Sequence, residues 1–241
     1  MTFYNELSPY YDQMISFESR FKNEKKIFES VLEKYPAKFI LDGGCGSGYH
    51  SILLSSLGKV VSAFDPSEKM IELAKKNSMK YNCGIEFINT DFLNFPKTIS
   101  NKYDAVYSLG NSFVHLTNLK DISQALKNFK QILNPGGYVC FGIVNYDKIL
   151  NSGNLEISKK DVNGFFYHRY NTLNKNTITF HVDISGKENH HFETELYPLT
   201  SSEIINLSRE AGYNKMHLFG NLKLDKYESE NSENIVAFLF K

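Results

Sequence analysis

The residues best suited to chemistry gather in three places along the chain. The densest is Asp42-Gly43-Gly44-Cys45-Gly46-Ser47-Gly48, a loop that follows a short apolar run and precedes a helical one. Glycines there allow positive φ and a close approach of ligand to backbone. The loop faces the N-terminus of the next helix, whose free N–H groups and dipole favour a polar or anionic ligand group. Asp65 ends the following apolar run, where a dinucleotide-type fold places a carboxylate against ribose hydroxyls. The competing reading makes Asp65 a mere cap for a helix beginning at Pro66. Asn89-Thr90-Asp91-Phe92 is the third place. An acid there can accept from an adenine amino group and an aromatic ring can cover the base, the alternative being an ordinary turn acid.

These groups need elements to hold them. Residues 20–35 space Phe21, Phe28, Val31, Leu32 and Tyr35 as one helical face, and Pro36 ends it. Strands are predicted at 38–42, 60–65, 85–89, 103–109 and 138–144. Helices are predicted at 49–57, from Pro66 in a first turn through Met70 and Ala74, and at 118–132. Asn134-Pro135-Gly136-Gly137 reads as a turn. Strands alternating with helices specify a mostly parallel, doubly wound α/β sheet. Residues 146–163 read as polar and irregular; three β segments follow at 165–170, 177–184 and 191–197, then a helix at 201–211 and strands at 213–219 and 234–240. The expected organisation is one domain over 1–241, with an N-terminal helical segment at 1–37 and an antiparallel β insertion at 146–199 over the sheet's open end.

Composition excludes several partners. Lys plus Arg and Asp plus Glu both total 27, so no net charge draws the chain to nucleic acid or anionic lipid. Cys45, Cys83 and Cys140 are odd in number and fit neither a disulfide framework nor a zinc site. With no apolar leader at the N-terminus and no span-length apolar run, the expected location is cytoplasmic. His190 and His191 are adjacent in a predicted hairpin turn; neighbours on a strand point to opposite faces, so they read as exposed and not as a metal pair.

The set Ile40 to Gly48, Phe64-Asp65-Pro66-Ser67-Glu68-Lys69-Met70, Asp91-Phe92 and Leu133-Asn134-Pro135-Gly136-Gly137 resembles the S-adenosylmethionine-dependent methyltransferase superfamily. The resemblance implies a Rossmann-like seven-stranded sheet with an antiparallel last strand, which suits the two terminal strands. It also implies S-adenosyl-L-methionine as cofactor, S-adenosyl-L-homocysteine as product and no metal. The cofactor contacts it implies are Asp42, Gly43, Gly44, Gly46, Asp65, Pro66, Met70, Thr90, Asp91 and Phe92, with Leu109, Gly110 and Ser112 from the next segment.

A narrower resemblance reaches further. Leu109-Gly110-Asn111-Ser112-Phe113-Val114-His115-Leu116, the segment from Asn145-Tyr146-Asp147 to Gly153, and Tyr197-Pro198 are similar to elements of glycine and sarcosine N-methyltransferases. Arg20 lies where that family has an arginine for the methionyl carboxylate. By this resemblance Tyr4 and Tyr11 belong to a segment folded over the pocket, Tyr146 and Tyr197 to its lid, and the N-terminal segments to a homo-oligomer contact. One departure matters: the family's arginine before Asn-Tyr-Asp, which clamps the substrate carboxylate, is Val144 here. An isopropyl group cannot replace a bidentate guanidinium. Either Arg169 or Arg20 supplies a substitute charge or the substrate lacks a carboxylate.

The reaction so implied is in-line methyl transfer to a small molecule, with an amine as the leading acceptor. The leaving group is already on the cofactor, so no Ser/His/Asp or Cys/His constellation is required. Asn111, at the carboxyl end of the fourth strand, could orient an amine or a carboxylate, and His115 and Tyr11 are further candidates at the reacting centre. The rivals are transfer to an oxygen or sulfur nucleophile and a non-catalytic S-adenosylmethionine-binding protein. A nucleic-acid methyltransferase is disfavoured because Leu109-Gly110-Asn111-Ser112 replaces the Pro-Pro-Tyr type segment of base-flipping enzymes. Asp91-Phe92 and the terminal strand pair disfavour an NAD-dependent dehydrogenase.

Overall fold

The structure, a computed structural model, describes residues 2–241. Two helices lead in, α1 (Thr2–Met14) and α2 (Phe17–Lys34). Then β1 (Phe39–Gly43), α3 (Tyr49–Ser56), β2 (Val60–Asp65), α4 (Glu68–Lys80), β3 (Glu86–Asn89), β4 (Tyr103–Ser108), α5 (Leu119–Ile132) and β5 (Leu133–Val144) alternate as expected. After them come α6 (Tyr146–Ser152), the strands β6 (Glu156–Val162), β7 (Phe165–Leu173), β8 (Ile178–Ser185) and β9 (His190–Leu196), then α7 (Ser201–Glu210), β10 (Lys215–Phe219) and β11 (Asn234–Phe240).

The main sheet has seven strands in the order β10-β11-β5-β4-β1-β2-β3. The terminal strand β11 runs antiparallel to both neighbours, and the pairs among β1 to β5 are parallel. Helices cover both faces, so the central strands are apolar on both sides. Leu41, Val106 and Phe141 pack into a core with α5 and α7. Their neighbours Ile40, Tyr107 and Cys140 point the other way, into a core with α2 and α3. This order leaves the carboxyl ends of β1 and β4, whose connections lead to opposite edges, as the crevice of the sheet.

β6 to β9 form a separate antiparallel four-stranded sheet. Alternation sets its faces. Tyr167, Val182 and Ile184 pack on Phe3, Leu7 and Met14 of α1, while His168, His181 and His191 stand on the reverse face. α1 is thereby wedged between this sheet and the crevice.

Four local expectations need correction. Residues 146–163 are ordered: Asn145 caps α6 by accepting from Lys148 N–H, and the polar segment 156–162 is an edge strand. Pro66 precedes the cap of α4 and is not in its first turn, because Ser67 Oγ accepts the Met70 N–H. The residues read as a turn at 134–137 lie within β5, at an irregularity in its pairing with β4. His190 and His191 lie in β9 itself, and His190 is half-buried, its Nε2 bonded to the Tyr10 hydroxyl at 2.7 Å. Among the described residues no helix is long and apolar enough to cross a membrane.

Candidate active site

Two cavities open at the carboxyl ends of the parallel strands. The first, about 510 Å³, is lined by Tyr11, Arg20, Asn111 and Tyr146, with Arg169 and Asn171 entering from β7. The second, about 490 Å³, is lined by Gly44, Gly46, Asp65, Asp91, Phe92 and Ser112. Tyr4 and His115 line both. Their side chains meet, Tyr4 Oη to His115 Nε2 at 2.8 Å, and stand where the two spaces adjoin.

The second cavity is built by the glycine loop. The Gly44 and Cys45 N–H groups donate to the Phe64 carbonyl at 2.8 and 3.0 Å, which folds the loop back over β2. Gly44 has φ +70°, and a Cβ there would lie 2.7 Å from Ser112 Cβ; Gly46 has φ +54° and faces the Tyr11 hydroxyl. Only glycine takes that backbone in that space without strain. Asp65 is buried and accepts from Gly46 N–H (2.9 Å) and Ser67 N–H (2.8 Å), one on each carboxylate oxygen. Burial pushes its pKa up to about 6 against those two hydrogen bonds. Each oxygen keeps a further lone pair for a donor in the cavity. Asp65 thus ties the loop to the start of α4, while the Ser67 side chain caps that helix.

At the far end Asp91 accepts from the Leu93 and Asn94 N–H groups and from the Asn94 amide. Burial raises its pKa, but these bonds more than offset that and hold it below the ordinary value. The Phe92 ring closes the floor, edge-on to Phe64. Pro66 also lines this cavity.

The first cavity holds a network anchored on Asn111. Its backbone takes φ +71° and its N–H donates to the Gly142 carbonyl. Its side-chain oxygen accepts the Val144 N–H (3.1 Å) and its amide donates to the buried Tyr146 hydroxyl (2.9 Å). Leu109 and Gly110 continue the same wall. Burial lowers the His115 pKa to about 4, so the ring is neutral near pH 7. Burial raises Tyr11 to about 12.

The two arginines differ in their partners. Arg20 has an ion-pair partner: Nε and Nη2 donate to Glu24 at 2.8 and 3.2 Å, and its guanidinium stacks over Tyr49. Burial pulls its pKa down, but Glu24 more than offsets this. Arg169 has no carboxylate partner within ion-pair range among the described residues; its Nε donates to Ser158 Oγ at 2.8 Å. Burial, first among its causes, holds it below the ordinary arginine value. Two residues on along β7, buried Asn171 has a side-chain oxygen with no hydrogen-bond partner among the described residues. Arg169 and Asn171 both line the first cavity, and the Asn171 side-chain oxygen is buried.

Five expected contacts line neither cavity. Asp42 lies beneath the loop, where Ser51 Oγ donates to it at 2.5 Å and burial lifts its pKa to about 7. Gly43 is packed against the Phe64 and Phe92 rings. Met70 is wholly buried in the fold. Thr90 turns its N–H to the Asp65 carbonyl. Tyr197 spends its hydroxyl on Glu203 at 2.7 Å and packs on the core. Asn171 and the Tyr4–His115 contact were not foreseen. Period-two alternation from Arg169 points to Asn171, but nothing local pairs residues 4 and 115.

Comparisons with known proteins fit this geometry. A family model described as a methyltransferase domain matches residues 40–137. The glycine/sarcosine N-methyltransferase of Halorhodospira halochloris is 31% identical over 221 residues, covering 88% of this chain and 79% of that protein. The enzyme of the same description from Aphanothece halophytica is 26% identical over 219 residues, covering 88% and 80%. A solved S-adenosylmethionine-dependent methyltransferase from Clostridium acetobutylicum ATCC 824 superposes with TM-score 0.78 at 18% identity, covering 98% of each chain, and so shares the fold.

Proposed function

Because the chain belongs to the S-adenosylmethionine-dependent methyltransferase superfamily, we propose that it methylates the nitrogen of a small amine that also carries a carboxylate or similar anionic group. The observation that carries this reading is Arg169, a part-buried guanidinium in the first cavity whose charge no carboxylate among the described residues meets. Leaving such a cation unpaired is unfavourable unless a ligand supplies the anion. The relatives named as glycine/sarcosine N-methyltransferases support an amine acceptor.

The residues present fit the cofactor. Asp65 would accept from the ribose hydroxyls, the loop at Gly44 and Gly46 would take the adenosyl backbone closely, and Phe92 and Asp91 would flank the base. Arg20 retains N–H groups beyond its Glu24 pair for the methionyl carboxylate. When bound, the cofactor supplies an activated methyl on a sulfonium leaving group.

The chain's own work is then positional. Asn111, fixed by Val144 N–H and Tyr146, and Tyr11 wall the place where the amine would lie in line with the methyl. His115 is too weak a base to keep a proton at neutral pH, so it acts with Tyr4 as a wall between the cavities. The amine must therefore be neutral when it reacts. Removal from water in a secluded space favours that form by disfavouring an ammonium ion. The sheet β6–β9 and α1 act as the lid that excludes water.

The test is S-adenosylhomocysteine formation over pairs of amines matched in size, with and without a carboxylate. The carboxylated member of each pair should turn over faster at subsaturating concentration. Equal turnover of the uncharged partners, or turnover of hydroxyl or thiol acceptors alone, would overturn the proposal.

A further inference from the structure

The geometry points to a zinc-binding site on the outer face of the four-stranded sheet, formed by His181 of β8 with His191 and Glu193 of β9. One ligand atom from each residue lies within 4.8 Å of the other two. His181 Nδ1 and His191 Nε2 each stand 3.4 Å from Glu193 Oε2. Zinc bound at its usual distances of about 2.0–2.2 Å in a tetrahedral site separates its ligand atoms by roughly 3.4 Å. The separations to Glu193 already match.

Hydrogen bonding aims both imidazoles. His191 Nδ1 is 2.6 Å from the Asp183 carboxylate, which holds a proton on that nitrogen, and Nε2 faces Glu193 at 3.4 Å, so a metal would bind there in place of the Nε2 proton. His181 Nε2 is 2.9 Å from Thr172 Oγ1 on β7. His181 is 9% exposed, and its Nδ1 is buried with no hydrogen-bond partner among the described residues. A buried ring nitrogen without a partner is costly, and a metal would satisfy it. A histidine held by a carboxylate or hydroxyl on one nitrogen and open on the other is the usual arrangement around zinc.

Sheet register explains why these side chains converge. His181 faces Glu193 across the β8/β9 ladder, and Asp183 faces His191 two residues along. All four point to the same face, because they are two residues apart on each strand. His190 points away from this face, toward Tyr10 of α1, as its position beside His191 requires. His191 and Glu193 are 50% and 60% exposed, which leaves room for a water as fourth ligand.

The ion would take no part in methyl transfer. It would tie β8 to β9, and through Thr172 to β7. The inner faces of these strands place Phe180, Leu196, Arg169 and Asn171 in the first cavity. Zinc would therefore stiffen the wall that holds the acceptor.

The inference is independent of the acceptor's identity and is tested without it. Full-length protein, free of any histidine tag and stripped with chelator, is titrated with zinc chloride by calorimetry and by thermal shift. One zinc per chain should bind with micromolar or tighter affinity and raise Tm. His191→Ala and Glu193→Gln alter exposed side chains, so both should fold; each should weaken binding at least about tenfold, and Asp183→Asn roughly 10–100-fold. Cobalt should give the intense visible bands of four-coordinate geometry in the wild type and lose them in His191→Ala. His190→Ala should bind as the wild type does. Absence of saturable binding, or equal binding by wild type, His191→Ala and Glu193→Gln, would overturn the assignment.

Discussion

Replacing Arg169 by Met separates an acceptor clamp from every other use of that cation. The side chain enters the first cavity from β7 with one hydrogen bond, to Ser158, and no carboxylate partner among the described residues. In the unliganded protein its burial is unfavourable, as the lowered pKa indicates, so Met should leave Tm unchanged or higher. In the complex the same change removes a charge-assisted pair. Truncating one member of a desolvated pair costs at least about 2 kcal/mol, and the part-buried setting keeps it near the low end of the range, about 2–3 kcal/mol. That corresponds to a roughly 30- to 150-fold rise in KM for a carboxylated acceptor. The KM for S-adenosylmethionine should stay within about twofold, well under the tenfold that corresponds to about 1.4 kcal/mol. Initial rates with each substrate varied in turn give both constants, and a melting curve gives the third. A rise in cofactor KM with acceptor KM unchanged would move Arg169 to the methionyl carboxylate and refute the clamp.

Asp65→Ala should weaken S-adenosylmethionine binding by about 1–3 kcal/mol through lost ribose hydrogen bonds, read by calorimetry. It should also lower Tm, because the Gly46 and Ser67 N–H groups lose their acceptor. The Asp65 pKa, raised to about 6 by burial, lies above the unfolded value, so its contribution to stability is full below about pH 4 and is lost as pH rises through about 6. Ribose donors favour the ionised form, so cofactor affinity should fall as pH drops below about 6; a flat profile from pH 5 to 7.5 in the wild type would contradict the ribose assignment. Val144→Arg puts a guanidinium on the wall beside Asn111 and should raise kcat/KM for glycine; no gain would break the analogy with the glycine enzymes at this position.

Much of the fold was legible because its signals were local. The strands at 60–65 and 234–240 match the expected ranges, since each is an apolar run bounded by turns or charges. Segments whose structure depends on neighbours were not. Glu156–Val162 carries alternating exposed polar residues as an edge strand, which in sequence looks like a loop. Tyr146–Ser152 is a two-turn helix set by the Asn145 cap and closed by Gly153 at φ +67°. The helix start at Pro66 was misplaced because Ser67, one residue on, has the capping hydroxyl.

The site divides the same way. Gly44, Gly46, Asp65 and Phe92 were readable because the loop, the strand end and the next strand's end must share one edge of a parallel sheet. Asp42 and Tyr197 belong to motifs, yet their polar atoms are taken by Ser51 and Glu203. No spacing rule could show that. The His181–His191–Glu193 group was hidden for a related reason: its members come from two strands and meet only through register.

A crystal structure with S-adenosylhomocysteine tests the central reading most directly. Both ribose hydroxyls should lie within hydrogen-bond distance of the Asp65 carboxylate in the second cavity, with the sulfur beside Asn111 and His115 at the mouth of the first. A ribose held elsewhere, with Asp65 still bound only to Gly46 and Ser67, would contradict it.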